Sequence, residues 1–198
     1  MNLFILHEQP DIAAQMQCDK HIVKMALETT QMVASVIHRY GISPELLPIN
    51  KSGNPYGAGY KHHPCTLWVG DNIQNFRWTV EHGLALCREY SRRYGKVHHC
   101  SLSLLRVSKA LQNNDCIQSK VPGSTKRTAF AQALYDSCRQ SDAVKAYRNY
   151  YTIRLLERPT MQSWSIRSTS GGRQQFAPPF WFTAANIRPL KTNGETKP

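Results

Sequence analysis

Three side chains of complementary chemistry stand at helical spacing early in the sequence: His21, Lys24 and Glu28, at i, i+3 and i+7. At roughly 100° per residue they share one ridge over two turns, so an imidazole, an ammonium and a carboxylate project together. Such a ridge can hold phosphate and move protons, and a carboxylate beside an amine is what imine chemistry at a sugar carbon requires. Gln17, Lys20, Gln31, Ser35, His38 and Arg39 extend the ridge into a polar band in which Glu28 is the only acid. The plainer reading of the same band is the solvated side of an amphipathic helix.

A second candidate region is HHPCTLWVGDNIQNFRW. Trp68, Phe76 and Trp78 are either core or base-stacking residues. Asn72, Asn75 and Arg77 would be their polar counterparts in a pocket, or caps and surface groups. His62 and His63 lie just before them. Farther on, Arg92, Arg93 and Lys96 form a basic cluster, and STSGGR (168–173) could bring backbone amides to a phosphate. The six cysteines are scattered without a CxxC pair, which reads as reduced, intracellular thiols. Zinc is conceivable from His62, His63 and Cys65, or from His98, His99 and Cys100. Adjacent residues rarely aim all their ligands at one tetrahedral centre, so no metal is assigned.

These residues need elements to position them. Residues 2–6, NLFIL, read as a short strand or a buried extended segment, with Asp11 placed to cap a helix. From Asp11 to about Tyr40 the apolar spacing is helical without Gly or Pro, and Gly41 follows as a stop; one long helix is expected. Residues 41–64 hold four Pro and four Gly and should form an ordered loop. A second helix starts at about Thr66 or Asp71 and runs to Tyr94 before Gly95. Ser101 to Gln112 and Ser141 to Leu155 read as helices, Phe130 to Cys138 as a further candidate, and no strand pattern competes. The expectation is a mainly α, single-domain helical bundle over residues 1–182, with a polar tail from 183 to 198.

Composition narrows the partners. The 198 residues are 41% hydrophobic and 10% aromatic, the content of a chain that folds. Twenty-five Lys and Arg against 13 Asp and Glu give a formal charge of +12, which attracts phosphate backbones through counterion release, or an anionic membrane face. Nucleic acid is the reading preferred. No apolar run reaches the length of a membrane span and no export signal is visible, so a cytoplasmic protein, in a host cell if phage-encoded, is expected.

The run CDKHIVKMALE, from Cys18 to Glu28, resembles the first-helix motif of phage pyrimidine-dimer DNA glycosylases of the endonuclease V type. HHPCTLW, His62 to Trp68, and the helix after it, ending in an acid, basic residues and Gly, resemble that family's histidine-led helix. The opening MNLF, the segment DAVKAYRNYY from Asp142 to Tyr151 and the closing PFWF from Pro179 to Phe182 are similar to longer phage and bacterial relatives. The resemblance implies an all-helical DNA glycosylase with AP-lyase activity and no cofactor, acting on a damaged or modified pyrimidine. Its nucleophile would be the chain's own amino terminus. Free α-amines titrate near about pH 8, leaving a usable neutral fraction at neutral pH.

Carried over residue by residue, Glu28 is the matching carboxylate. His21 and Lys24 would hold phosphate or sugar, and Lys20, His62, His63, Asn75, Arg77, Arg92, Arg93 and Lys96 would meet the nucleic acid. Family members that expose a threonine amine have it where this chain has Asn2, a residue that usually leaves Met1 in place. The amine is therefore that of Met1, or of Asn2 once Met1 is removed, with Lys24 as runner-up. The arginines that flank the family's glutamate are absent here. Two other functions fit the residues: a DNA- or RNA-binding protein without catalysis, and an enzyme acting on free nucleotides or a nucleotide-like ligand.

Overall fold

The structure, a computed structural model, describes residues 1–113, 117–169 and 171–183. Its first residues are buried without regular structure, with Leu3, Phe4, Ile5 and Leu6 all inside the core and a tight turn closed by Leu6 N on Phe4 O (2.9 Å). Among the described residues six helices follow: α1 (Pro10–Gln15), α2 (Asp19–Arg39), α3 (Pro64–Asp71), α4 (Ile73–Tyr94), α5 (Ser101–Gln112) and α6 (Ala143–Leu156). A short antiparallel hairpin, β1 (Ser165–Arg167) and β2 (Arg173–Gln175), completes the order. The fold is mainly α, with buried residues of every helix joined in one hydrophobic cluster.

The single long helix expected from Asp11 to Tyr40 is two helices, and Asp11 lies inside the first turn of α1 rather than at its cap. A buried arginine explains the break. Arg93, at the end of α4 and 0% exposed, donates to the carbonyls of Gln15 (2.8 Å) and Gln17 (2.8 Å) and to the Asp19 carboxylate (3.1 Å). Carbonyls at the end of α1 have no partner within the helix, and Arg93 supplies one. Asp19 also accepts from the Ser163 hydroxyl (2.8 Å), the Ser165 hydroxyl (2.6 Å) and Arg173 (3.1 Å), which pins the hairpin to the start of α2. Burial works against the Asp19 charge, but hydrogen bonds from Ser165, Ser163 and Arg93 outweigh it and hold the carboxyl below its usual range.

At the far end, α2 stops as expected. Ile42 N donates to Ile37 O (3.0 Å) and Gly41 N to His38 O (3.2 Å), with Gly41 left-handed, which satisfies the last carbonyls. The second expected helix is also divided. Asn72 ends α3 and caps α4, its side-chain oxygen accepting from Gln74 N (2.8 Å) and Asn75 N (3.0 Å).

Segment 130–138 is not a helix but an extended run ending in a 3-10 turn at Asp136–Cys138. Its backbone is served from outside: Ala133 O accepts from the Asn2 carboxamide (2.7 Å), and Ala131 O from the Tyr147 hydroxyl (2.8 Å). Of the segment 168–173, raised as one that could approach a phosphate, Gly171 and Gly172 take positive φ and Arg173 opens β2, paired with Arg167. The loop from Ile42 to His63 is ordered against α2. There the Ser35 hydroxyl donates to Gly59 O (2.6 Å), and the His38 ring bonds Tyr56 O (2.9 Å).

Packing of α2 on α4 places the site. Gly83 of α4 meets α2 so closely that a Cβ there would lie 3.1 Å from the Thr29 methyl and 2.9 Å from a Leu104 methyl. Apart from Thr183, the expected tail lies outside the described residues.

Candidate active site

α2 turns His21, Lys24 and Glu28 toward an open cleft of about 440 Å³, and the first two residues of the chain close its floor. Asn2 anchors that floor. Its side-chain oxygen accepts from Leu3 N (2.8 Å) and Phe4 N (3.1 Å), its amide donates to Ala133 O, and its own backbone N–H donates to Glu28 Oε2 (2.9 Å). Phe4 sits at φ +48°, a left-handed conformation costly for an aromatic residue, which these bonds sustain. The Met1 side chain is buried, with its sulfur accepting from the Thr66 hydroxyl (3.5 Å), so the exposure left to Met1 is at its backbone end.

The amino nitrogen of Met1 stands 3.8 Å from Glu28 Oε2, and Lys24 Nζ stands 3.3 Å from Glu28 Oε1. Two primary amines therefore flank one carboxylate. His21 rises beside them, its Nδ1 2.7 Å from the Tyr151 hydroxyl, which also accepts from Cys18 N (2.9 Å). Burial pushes the His21 imidazole down to about 3, and the charges of Lys24, Arg154 and Arg158 add to the effect, so the ring is neutral at physiological pH. Phe4 stacks on it with centroids 4.7 Å apart. His63, capping α3, lies within the fields of the same amine and carboxylate; burial lowers it, the amine lowers it further, and Glu28 opposes both.

The cleft thus joins Met1, Asn2, Lys20, His21, Lys24, Glu28 and His63. Other expected contacts lie elsewhere. Asn75 is fully buried and spends its amide on Trp68 O (2.7 Å) and Thr128 (2.7 Å). Arg93 is interior, as described, and neither it nor Asn75 can meet a partner arriving from solvent. Arg92 pairs with Glu89 at 2.8 Å. His62 and Lys96 are exposed and Arg77 is half-buried, none of them lining the cleft. Trp68, Phe76 and Trp78 are core, with the two indoles edge to face at 5.9 Å, and are not available for base stacking.

Sequence reasoning missed the opposite wall: Ala133, Tyr150, Arg154, Arg158 and Met161. A signal existed. Tyr150, Arg154 and Arg158 recur at i, i+4 and i+8, which also places side chains on one face of a helix, as i, i+3 and i+7 do on α2.

Of the two histidine–cysteine groups, His98, His99 and Cys100 come together, with ligand atoms within 4.8 Å of one another. The His98 ring is already engaged, its Nδ1 accepting from Cys100 N (3.3 Å), and burial depresses both histidines, with the Lys51 charge adding to the effect. Cys65 is buried against the Tyr147 hydroxyl at 3.9 Å, away from any described cluster of three metal-ligating residues.

Residues 1–102 match the sequence profile of a family described as pyrimidine dimer DNA glycosylase. Comparison with curated proteins and with solved structures gives no match.

Proposed function

Since the chain belongs to the pyrimidine dimer DNA glycosylase family, we propose that it removes a damaged or modified pyrimidine from duplex DNA and cleaves the resulting abasic strand, with the Met1 amine as nucleophile. The observation that carries this is the amino nitrogen 3.8 Å from Glu28, at the floor of a cleft whose other charged side chains are cationic. In its neutral form the amine attacks C1′ of the target nucleotide. The C1′–N bond to the base breaks and the base departs with the bonding electron pair; the C1′–O4′ bond then opens as O4′ takes an amine proton, leaving an iminium between Met1 N and C1′.

Glu28 supplies two effects. Its negative charge stabilises the cationic iminium, and its carboxylate takes a proton from C2′, so that the C3′–O bond breaks and the 3′ phosphate leaves. Neutral His21 contributes a hydrogen-bonding group rather than a charge. Lys20 and Lys24 meet phosphate or sugar. The lesion reaches the floor only if the duplex is locally unstacked, at a cost of a few kcal/mol offset by backbone contacts.

Lys24 is a second candidate nucleophile, favoured by its 3.3 Å approach to the other carboxylate oxygen. Borohydride trapping on abasic and ultraviolet-irradiated duplexes separates the amines. The adduct is expected on the peptide that begins at Met1. An adduct confined to Lys24 would reassign the nucleophile, and the absence of any adduct would leave a DNA-binding protein without this chemistry.

A further inference from the structure

We propose that Arg154 and Arg158 form an anion-binding rim that takes a phosphate of the DNA strand carrying the target nucleotide. The proposal rests on the reading above only in that the anion is DNA. Both arginines lie at and just beyond the C-terminal end of α6, outside residues 1–102 that match the family, and both reach the cleft opposite α2. Arg154 is half-buried and oriented: one guanidinium nitrogen donates to the Tyr135 hydroxyl (3.2 Å), and the nearest Glu157 oxygen is 3.9 Å away, too far for a hydrogen bond. Arg158 is exposed and makes no ion pair among the described residues. A guanidinium held on one edge and open on the other is suited to two parallel bonds to phosphate oxygens.

The charge balance of the cleft points the same way. Lys20, Lys24, Arg154 and Arg158 face it with the amino terminus, against Glu28 as the single acid on its walls. Glu28 is already committed to Asn2 N, Met1 N and Lys24. The surplus positive charge therefore meets no second acid on the cleft walls, and its field reaches the cleft interior, where both arginines help keep His21 unprotonated. Glu157, whose nearest oxygen lies 3.9 Å from Arg154, is exposed to solvent. An anion that spans the mouth of the cleft neutralises this surplus without entering the floor.

The test measures binding, not chemistry. A labelled duplex bearing a tetrahydrofuran abasic analogue is titrated with the full-length protein and with Arg154→Gln, Arg158→Gln and Lys109→Gln across a salt series. Each of the first two variants is expected to weaken binding by about tenfold and to lower the slope of log K against log salt by about one. Lys109→Gln, an exposed charge on α5 outside the cleft, keeps the wild-type slope. Arg158→Gln alters an exposed side chain and decides the matter even if Arg154→Gln fails to fold. Unchanged affinity and slope in Arg158→Gln would overturn the proposal. Because only binding is read, a wild-type protein that forms no borohydride adduct would end the lyase reading and leave this result standing.

Discussion

Glu28 is the residue on which three donors converge, and changing it separates geometry from chemistry. In Glu28→Gln the side-chain carbonyl can still accept from Asn2 N, so the floor of the cleft keeps its shape, while the proton acceptor and the negative charge are lost. Single-turnover cleavage of an abasic duplex should fall by about 10²- to 10⁴-fold; a rate within twofold of wild type would remove Glu28 from the reaction. At this scale the sequence was legible wherever chemistry follows helical spacing. His21, Lys24 and Glu28 stand on one ridge because an α-helix puts them there. The place of Met1 was not legible from spacing, because it depends on Asn2 reaching Ala133 across 131 positions. Arg154 and Arg158 were missed for a different reason, since helical spacing groups them with Tyr150 but nothing in the sequence shows that this face of α6 lies across the cleft from α2.

Between elements, contacts decide what the local pattern cannot. Neither Gly nor Pro marks the break between α1 and α2; it exists because Arg93 arrives from α4 to take the carbonyls of Gln15 and Gln17. Replacing Arg93 with Met strands these carbonyls together with buried Asp19 and Glu89. It should cost about 3–5 kcal/mol in urea unfolding, and a loss under 1 kcal/mol would show the network to be dispensable. Gly83→Ala probes the crossing of α2 and α4. Alanine favours a helix by about 1 kcal/mol over glycine, yet its methyl would meet Leu104 and Thr29 inside van der Waals distance. A net destabilisation of about 1–2 kcal/mol is expected from overpacking, and a stabilised variant would mean that the Leu104 side chain yields. The division at Asn72 was open to prediction, since asparagine is a strong cap, but continuous apolar spacing on both sides concealed it. The ends of α5 were read closely from its apolar spacing, and the start of α6 from Asp142, whose side chain accepts from Lys145 N.

The molecule as a whole carries histidines that folding keeps uncharged. Burial pushes His82 down to about 4, with backbone acceptors at Pro10 and Leu3 and the Asp11 charge opposing. His98 is likewise pushed down to about 4, and His21 to about 3. In the unfolded chain each titrates near about 6.5, so below that pH the unfolded state binds more protons and folding loses stability. The stabilisation is complete above about pH 6.5 and drains away as pH falls toward 4. The unfolding temperature should therefore drop between pH 7 and pH 5, and more shallowly in His82→Gln than in wild type when measured by calorimetry. A flat profile over that interval would contradict the buried, neutral state of these rings. The mainly α class was readable from periodicity alone, whereas the β1–β2 hairpin was not, because three-residue strands held by Asp19 and Arg173 leave no alternating pattern. No helix among the described residues is long and apolar enough to cross a membrane.

Met1 is gripped by its thioether side chain and open at its nitrogen, so under the proposed mechanism competence would be settled during biosynthesis rather than by folding. A formyl or acetyl group left on that nitrogen, or a purification handle fused ahead of it, should yield a protein of normal unfolding temperature that still captures duplex and never becomes covalently attached. The same handle on the carboxyl end should be silent, and intact-mass spectrometry of each preparation, paired with trapping, reads the difference directly.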